Sequence, residues 1–379
     1  MEGHAHAPTV FVLYRRSALR SAGLASPRGS LERYSLYGLD ELEDAGWIVR
    51  HNLEPGRAPG PGARLLGSVL ERLVRATGGY PGDFATVLAS LGAIRRADVV
   101  FSTVDTVGIP LVLLSRVGLV RTPVVYAAIG LPERIERLRG AGARRLYRGA
   151  YRRLRTIIAY GAGEVDALRA WLGEQGPEVV LVPFGVDSRS FRPDPTIRPD
   201  VDVVSVGADP RRDLALLAAV AARRPVWTFH VVASAENVAQ LVGAPGNVRI
   251  ERDVPLSVVR DRLLGGRVVA LPVRENTYSG ATTVLLQAMA LAKPVVVSET
   301  AALARGYHLR DGVNCRLVPP GDPNALERAI AELLADPDAA ATLGRRARET
   351  VEEHLGWERY AQRLVDRIAA ALGSATVER

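Results

Sequence analysis

A run of small and hydroxyl-bearing residues near position 280 is the part of the sequence best suited to hold an anion. It follows the β-branched segment 268–272, and it opens a predicted helix that ends at Leu291. A helix N-terminus presents backbone N–H groups and about half a positive charge. A simple serine N-cap with a tightly packed first turn is the alternative. The pattern predicts a diphosphate site formed by Ser279, Gly280, Ala281 and Thr282.

Two neighbouring arginines follow another predicted strand, 202–206. Gly207 ends that strand, and a glycine there lets a ligand approach the backbone closely. In open α/β sheets, ligands bind at the carboxyl ends of the strands. Arg211 and Arg212 are therefore predicted to hold the leaving diphosphate. The alternative is a pair of surface arginines at a helix start, where the helix dipole disfavours positive charge.

Several common catalytic patterns are missing from the sequence. It contains no Gly-x-x-x-x-Gly-Lys-Ser/Thr loop, no Cys/His metal spacing and no Gly-x-Ser-x-Gly elbow. These absences argue against an ATPase, a zinc enzyme and a serine hydrolase. Asp200 and Asp202 form an Asp-x-Asp pair, which we interpret as linker charge. The sequence thus predicts no metal, and helix terminus and arginines would neutralise a developing diphosphate.

The elements that must position these residues alternate between short β-branched runs and longer helical patterns. This alternation is typical of parallel sheets with crossover helices, and we predict an α/β protein with two Rossmann-like domains. Each half has enough strands for its own doubly wound sheet. The predicted strands are 9–14, 47–52, 98–102, 123–127, 156–160 and 179–182, then 202–206, 227–232, 247–251, 268–272, 294–298 and 315–318.

The length of 379 residues favours two domains rather than one. A proline-rich segment, 187–200, is predicted to be the linker between domains 1–186 and 201–379. Asp322 and Pro323 predict the start of a helix through Ala335. The last helix has one apolar face that packs either on its own domain or back on the N-terminal domain. That face comprises Trp357, Tyr360, Ala361, Leu364, Val365 and Ile368.

Several ordered motifs in the second half resemble the donor-binding half of retaining GT-B glycosyltransferases of the group 1, or family 4, type. They are SGATTVLLQAMALAKPVVVS at 279–298, DGVN at 311–314 and VPPGD at 318–322. Upstream, VPFGVDSRSFRP at 182–193 is similar to the segment that leads into the second domain of that family. The resemblance implies metal-independent transfer of a sugar, with retention, from a UDP- or GDP-type nucleotide-diphosphate sugar to an acceptor hydroxyl, and no separate cofactor.

The sequence departs from the family pattern at the donor sugar. The family has two glutamates separated by seven residues, and this chain has Ser279 and Gln287 in their places. Gln287 can still bond ribose hydroxyls, because an amide is both donor and acceptor. Glu275 is a candidate to supply the missing carboxylate. Arg211 and Arg212 would stand in for the arginine and lysine that the family has in that region.

The resemblance implies an acceptor site in the N-terminal domain, for a glycan, a lipid-linked or a small-molecule acceptor. The family often has a histidine after a strand there, whereas this chain has Ile129 and Gly130. By position alone, Gly130, Asp105 and the loop 26–37 are acceptor-side candidates. No catalytic base is predicted. A nucleotide-sugar binding protein without transfer activity and another GT-B enzyme, such as a sugar-nucleotide epimerase, are the alternatives.

The formal net charge of +8 predicts anionic partners. Much of it lies in Arg144–Arg155, where Ala143, Tyr147, Ala150 and Leu154 recur at helical spacing. This basic helix is either a solvated face or a contact for anionic lipid, and no nucleic-acid-binding module surrounds it. Without an uncharged apolar run of about 18 residues we expect a cytoplasmic protein, with peripheral contact to the inner membrane face left open. Cys315, the single cysteine, is expected to be a packed, inert thiol.

Overall fold

The computed structural model describes residues 7–278 and 280–376, with side chains as far as residue 373. Ser279, one of the predicted phosphate-binding residues, lies outside these described residues. The chain divides into two compact units. The first comprises 1–160, 164–182 and 361–379, and the second comprises 161–163 and 183–360.

The first unit is built on a parallel six-stranded sheet of order β2-β1-β3-β4-β5-β6. Its register places Val10 opposite Val49 on one side and opposite Val99 on the other. The strands are β1 Thr9–Leu13, β2 Ile48–His51, β3 Val99–Ser102, β4 Val124–Ala128, β5 Thr156–Ala159 and β6 Glu178–Leu181. The helices are α1 Ala18–Ala25, α2 Leu39–Asp44, α3 Pro61–Ala76, α4 Phe84–Ile94, α5 Asp105–Arg116, α6 Leu131–Glu136, α7 Gly140–Tyr151 and α8 Ala162–Leu172.

The second unit repeats this plan with strand order β12-β11-β10-β7-β8-β9, again all parallel. Its strands are β7 Val201–Gly207, β8 Phe229–Ala233, β9 Val248–Arg252, β10 Gly266–Leu271, β11 Val295–Ser298 and β12 Arg316–Val318. Its helices are α9 Leu214–Arg223, α10 Ala235–Val238, α11 Leu256–Gly265, α12 Thr282–Ala290, α13 Pro323–Ala335 and α14 Pro337–Thr350. The last helix, α15 Trp357–Thr376, begins in this unit and belongs to the first unit from Ala361 onward.

The central strands of both sheets are buried on both faces, as parallel strands covered by helices must be. Strands β3 and β11 are entirely buried runs rich in valine. All twelve strands predicted from the sequence are present in the described chain, with ends shifted by no more than two residues. The α/β architecture of two Rossmann-like sheets is therefore confirmed.

The predicted helix ends near the C-terminus also agree with the structure. Asp322 caps α13 by accepting hydrogen bonds from the N–H groups of Asn324 and Ala325, at 2.8 and 2.9 Å. Helix α15 buries the predicted face except Val365, which is half-buried. From Ala361 onward this helix groups with the first unit, where Arg367 bonds Glu178 at 2.8 Å. No described helix is long and apolar enough to cross a bilayer.

Candidate functional site

The second sheet has a topological switch point between β7 and β10, where successive strands of the chain are added on opposite sides. Loops leaving the carboxyl ends of two such strands diverge and leave a crevice, which is where open α/β sheets bind ligands. The loop 208–213 follows β7, and the loop 272–281 follows β10. Both phosphate-binding segments predicted from the sequence lie at this switch point.

Arg212 is held in this crevice by the backbone. It forms an isolated antiparallel bridge with Val273, in which Asp213 N–H donates to the Pro272 carbonyl and Arg274 N–H donates to the Arg211 carbonyl, both at 2.9 Å. The bridge joins the loop after β7 to the loop after β10. As a result the whole side chain of Arg212 is buried, with none of its surface exposed.

The guanidinium of Arg212 is buried without a counterion. One terminal nitrogen, Nη2, donates to Ser205 Oγ at 2.6 Å, whereas Nε and Nη1 have no hydrogen-bond partner in the described chain. It forms no ion pair with a described carboxylate. Burial lowers the pKa of Arg212 to about 10, with the charge of Asp209 acting in the opposite direction. A buried cation with free donors is costly, and an anionic ligand would relieve that cost.

The backbone of Gly207 lies beside these free donors. Its φ is +153°, outside the usual range for side-chain-bearing residues. A Cβ built on Gly207 would lie 3.5 Å from Nη1 of Arg212 and 3.6 Å from its Cζ. A side chain at this position would therefore cover the guanidinium. With glycine at this position, the buried guanidinium lies next to backbone rather than beneath a side chain.

A buried amide supports the loop after β7. The Nδ2 group of Asn237 donates to the Asp209 carbonyl at 2.8 Å, and Asn237 is 2% exposed. The Asp209 carboxylate accepts from Arg211 N–H at 2.7 Å and from the Tyr278 hydroxyl at 3.4 Å. Burial raises the pKa of Asp209. Asn237, Asp209 and Tyr278 were not singled out from the sequence, because their partners are distant along the chain.

The helix at the diphosphate segment begins later than predicted. Instead of opening at Ser279 and Gly280, α12 begins at Thr282 and ends at Ala290. Ala281 takes the left-handed conformation, with φ of +61°, so the helical hydrogen-bond pattern cannot start before it. Gly280 lies in the preceding turn, where its N–H donates to the Tyr278 carbonyl at 2.8 Å.

Buried polar atoms without partners cluster around this helix start. They are Thr282 Oγ1, Asn276 Oδ1 and Thr300 Oγ1, and none has a hydrogen-bond partner in the described chain. Their residues are 1%, 4% and 3% exposed. Nearly all buried polar side chains in folded proteins have partners, so such a cluster is unusual. With Arg212, all four residues lie at or after the carboxyl ends of β7, β10 and β11.

Glu275, predicted to face the donor sugar, joins two loops instead of standing free. Its Oε1 accepts from its neighbour Asn276 N–H at 3.0 Å and from Ala301 N–H at 2.9 Å. The carboxylate thus connects the loop after β10 to the one after β11. A role toward a sugar stays a prediction, and positioning of Asn276 and Thr300 is the role that the observed contacts describe.

The other predicted donor residues are placed as follows. Arg211 is half-buried beside Arg212, and its backbone carries the bridge contacts. Gln287 lies in α12, 6% exposed, one turn after the exposed Thr283. Because helical side chains lean toward the N-terminus, Gln287 extends toward the start of α12. The structure thus brings Gly207 and Arg212 together with the loop of Glu275, and Thr282 begins the helix that follows this loop.

The metal-like Asp-x-Asp pair has a structural explanation. Asp202 lies inside β7 rather than before it, and its Oδ2 accepts from both the N–H and the hydroxyl of Thr228, at 2.9 and 3.0 Å. Arg267 pairs with the other oxygen at 3.0 Å. Within the described residues, no group of three or more His, Cys, Asp or Glu side chains is arranged to hold a metal ion.

The first unit has its own buried polar network at strand ends. Asp105, 1% exposed, accepts from the Tyr126 hydroxyl at 2.5 Å, from Ile129 N–H at 3.2 Å and from Arg134 Nε at 2.7 Å. The Arg134 guanidinium also lies 3.7 Å from the ring centroid of Tyr80. Burial raises the pKa of Asp105, against the opposing charge of Arg134.

Glu164 is a second buried carboxyl of this unit. Its Oε1 accepts from Gly130 N–H at 2.8 Å and Leu131 N–H at 3.0 Å, while Oε2 has no partner in the described chain. Burial, followed by the charge of Asp105, raises the pKa of Glu164 well above its ordinary value. Asp105 and Gly130, predicted by position, are thus joined to one network, and Glu164 is the member that sequence reasoning missed.

Comparisons with known proteins agree with this architecture. The family model Glycosyl transferases group 1 matches residues 202–336. Sucrose-phosphate synthase from Thermosynechococcus elongatus has a TM-score of 0.73 at 18% identity, covering 97% of this chain and all of that chain. No curated protein sequence matches the chain.

Two further solved structures have the same fold. Anabaena HepE, in complex with UDP-glucose, has a TM-score of 0.70 at 16% identity and covers 96% of this chain and 99% of its own. A glycosyltransferase from Rickettsia africae has a TM-score of 0.61 at 11% identity, covering 97% and 99%. The chain therefore has a GT-B fold of two Rossmann-like units, and residues 202–336 match the Glycosyl transferases group 1 model.

Proposed function

We propose that the protein transfers a sugar from a nucleotide-diphosphate sugar to an acceptor hydroxyl, and that the second unit binds the donor. The observation that carries this proposal is the buried guanidinium of Arg212 at the switch point, two of whose nitrogens have no partner in the described chain. Polar atoms of Asn276, Thr282 and Thr300, also without described partners, follow the carboxyl ends of the neighbouring strands β10 and β11. An anion would pair with the guanidinium, and hydroxyl groups on the same ligand would form hydrogen bonds with the polar atoms. A nucleotide diphosphate joined to a sugar has both.

The chemistry assigns the arginine a defined role. As the bond between the anomeric carbon and the diphosphate oxygen breaks, negative charge builds on the leaving diphosphate. Arg212 Nε and Nη1 and the N-terminus of α12 would stabilise that charge, and preorganised donors in a buried site act strongly. Because a cation and a helix N-terminus can both stabilise this negative charge, we propose that transfer needs no metal ion. Gln287 is assigned to the ribose hydroxyls.

The stereochemistry and the substrates are part of the same proposal. The resemblance of 279–298 to retaining enzymes supports retention of the anomeric configuration. UDP is our first choice of nucleotide, because the HepE structures of the same fold hold UDP or UDP-glucose. The acceptor is assigned to the first unit, where Asp105 and Glu164 offer buried carboxyl groups near strand ends.

The direct test is a thermal-shift panel of UDP, GDP, ADP and dTDP with their sugars. A ligand at about 100 times its Kd stabilises a protein by about 2.7 kcal/mol. We expect one nucleotide family to raise Tm in the parent but not in Arg212→Met. If no nucleotide changes Tm in the parent, the donor-site assignment is wrong.

Transfer itself is tested with the nucleotide so identified. Nucleoside diphosphate should be released only when an acceptor is present, the release should survive EDTA, and NMR of the product should show the donor's anomeric configuration. Binding without release in any acceptor mixture would favour the non-catalytic alternative. Loss of release in EDTA, with recovery in Mg²⁺ or Mn²⁺, would contradict metal independence alone.

A further inference from the structure

Helix α3 carries an apolar stripe that is left exposed by the described residues of the first unit. On its inner side the helix packs closely on α4, where a Cβ added to Gly67 would lie 2.9 Å from Ala85 N. Leu70 and Val74 pack against the core of the unit. Four large aliphatic side chains point outward instead. They are Leu65, Leu66, Val69 and Leu73, which are 72%, 50%, 43% and 60% exposed.

These four side chains form one continuous surface. At 100° per residue they fall within about 100° of the helix circumference, next to the buried side. Arg64, Arg72 and Arg75 lie along the opposite border of the stripe. Arg75 is 3.8 Å from Glu71, and Arg64 and Arg72 form no ion pair with any described carboxylate. The helix thus has the wide apolar arc and cationic border of a helix that lies at a membrane surface.

Basic residues of α7 and its C-cap form a second surface feature of the same unit. Arg144, Arg145, Arg148 and Arg152 line a groove of 760 Å³ together with Trp171. None of these four arginines forms an ion pair with a described carboxylate. The turn after α3 adjoins the start of α7, since Arg139 N–H donates to the Thr77 carbonyl at 2.7 Å. The apolar stripe and the arginine groove therefore belong to neighbouring helices of one unit.

We propose that this docking face, the stripe of α3 with the arginine groove of α7, binds the surface of a bilayer that contains anionic lipid. The aliphatic side chains would enter the boundary between headgroups and acyl chains, while the arginines contact lipid phosphates. A second copy of the chain would bring the same unpaired positive charges together, so charge disfavours self-association. An acidic protein would match the arginines but leaves the four aliphatic side chains unexplained.

Vesicle sedimentation tests the proposal with the full chain. We expect binding to phosphatidylcholine vesicles that contain phosphatidylglycerol, and weak binding to phosphatidylcholine alone. Replacing Leu65, Leu66 and Leu73 by serine should weaken binding by about tenfold or more, since each buried methylene contributes. Replacing Arg144, Arg145 and Arg148 by glutamine should weaken it by a similar factor. Matched control variants in the second unit, Val226→Ser with Val242→Ser and Arg345→Gln with Arg346→Gln, should bind as the parent does.

A fluorescent label distinguishes insertion from loose electrostatic attraction. Cys315 is the only cysteine and is fully buried, so an NBD label on Leu73→Cys reports that position alone. Its emission should shift to the blue on anionic vesicles, whereas the label on Val226→Cys should not respond. The proposal is wrong if the parent does not bind anionic vesicles, or if it binds them without a blue shift of the Leu73→Cys label. It is also wrong if the serine variant still binds lipid and loses self-association instead. The donor-site proposal is untouched by any of these results.

Discussion

Each of the two sheets places an arginine near the carboxyl ends of its strands, but only one of these arginines pairs with a described carboxylate. In the first unit, Arg134 pairs with the buried Asp105 at 2.7 Å and lies over the Tyr80 ring. In the second unit, Arg212 is more deeply buried, yet two of its nitrogens have no partner in the described chain. Two similar folds therefore treat a buried cation in opposite ways.

The difference indicates what each unit is prepared to bind. The second unit retains an unsatisfied cation, which an anionic ligand would complete. The first unit has satisfied its cation and retains instead a buried carboxyl with one unpartnered oxygen, Oε2 of Glu164. A protonated carboxyl group can donate a hydrogen bond to a hydroxyl group as well as accept one, so this unit suits a neutral, hydroxyl-bearing ligand. This contrast supports the proposed assignment of the donor to the second unit and of the acceptor to the first.

Removing the neutralised arginine should have the largest effect on stability. We expect Arg134→Met to lower the free energy of unfolding by about 3 kcal/mol, because it leaves the buried Asp105 without its cation. Urea denaturation measures the change. The double variant Arg134→Met with Asp105→Asn should recover part of it. If Arg134→Met is as stable as the parent, the pair of Arg134 and Asp105 contributes nothing to stability, and the contrast drawn between Arg134 and Arg212 is wrong for the first unit.

Removing the unsatisfied arginine should affect function instead. Arg212→Met should lower kcat by roughly 10²-fold, or about 2.7 kcal/mol, because the lost contact strengthens as charge builds on the diphosphate. The same variant should unfold at the parental urea concentration or higher, since it removes a buried charge that has no counterion. Arg211→Met, beside it and half-buried, is the matched control, with a smaller loss of kcat. A marked loss of stability in Arg212→Met would show that the cation already has a partner.

The buried carboxyl group of Glu164 should make the stability of the protein depend on pH. Burial raises the pKa of Glu164 in the folded state above its value in the unfolded state. Between these two pKa values the folded protein keeps a proton that the unfolded chain loses. The free energy of unfolding therefore falls as pH rises through this interval. Glu164→Gln keeps an oxygen for the two amides and does not titrate. We expect it to be more stable than the parent at pH 8 and equal to it near pH 4. An unchanged difference across pH would refute the raised pKa.

The smallest effect is expected at the ribose. Gln287→Ala removes a contact that exists before and during transfer, so it should raise the donor KM about fivefold with kcat nearly unchanged. Gln287→Glu keeps an acceptor at this position and should retain the parental KM within about twofold. Steady-state kinetics with varied donor measure both. A fall in kcat with constant KM would place Gln287 at the reacting sugar instead.

Local sequence patterns predicted most of the fold. The β-branched runs predicted every strand because parallel strands buried on both faces must be apolar throughout, and Asp322 with Pro323 predicted the start of α13. Gly207 and the arginine pair were singled out as candidates because a ligand site needs small and cationic residues just after a strand, and their ligand-binding role stays a prediction. These signals lie within a few residues of one another in the chain.

Features that depend on distant partners could not be predicted. Sequence treats Arg211 and Arg212 alike, and only the bridge to Val273 decides which of them is buried. Glu164 gains its environment from the amides of Gly130 and Leu131, more than thirty residues earlier. The exposed stripe of α3 was missed because an apolar helical pattern normally indicates burial, and its exposure depends on how little of that helix α4 covers.

Ala281 has a consequence for efforts to make this protein more heat-resistant. Its left-handed backbone, with φ of +61°, costs an alanine roughly 1 kcal/mol that a glycine would not incur. A selection for thermostability alone would therefore favour Ala281→Gly. The same exchange would free the backbone at the start of α12, where the unpartnered Thr282 hydroxyl is held. Variants recovered this way should be screened for turnover as well as for melting temperature, because gains at this position would come with a less rigid donor site.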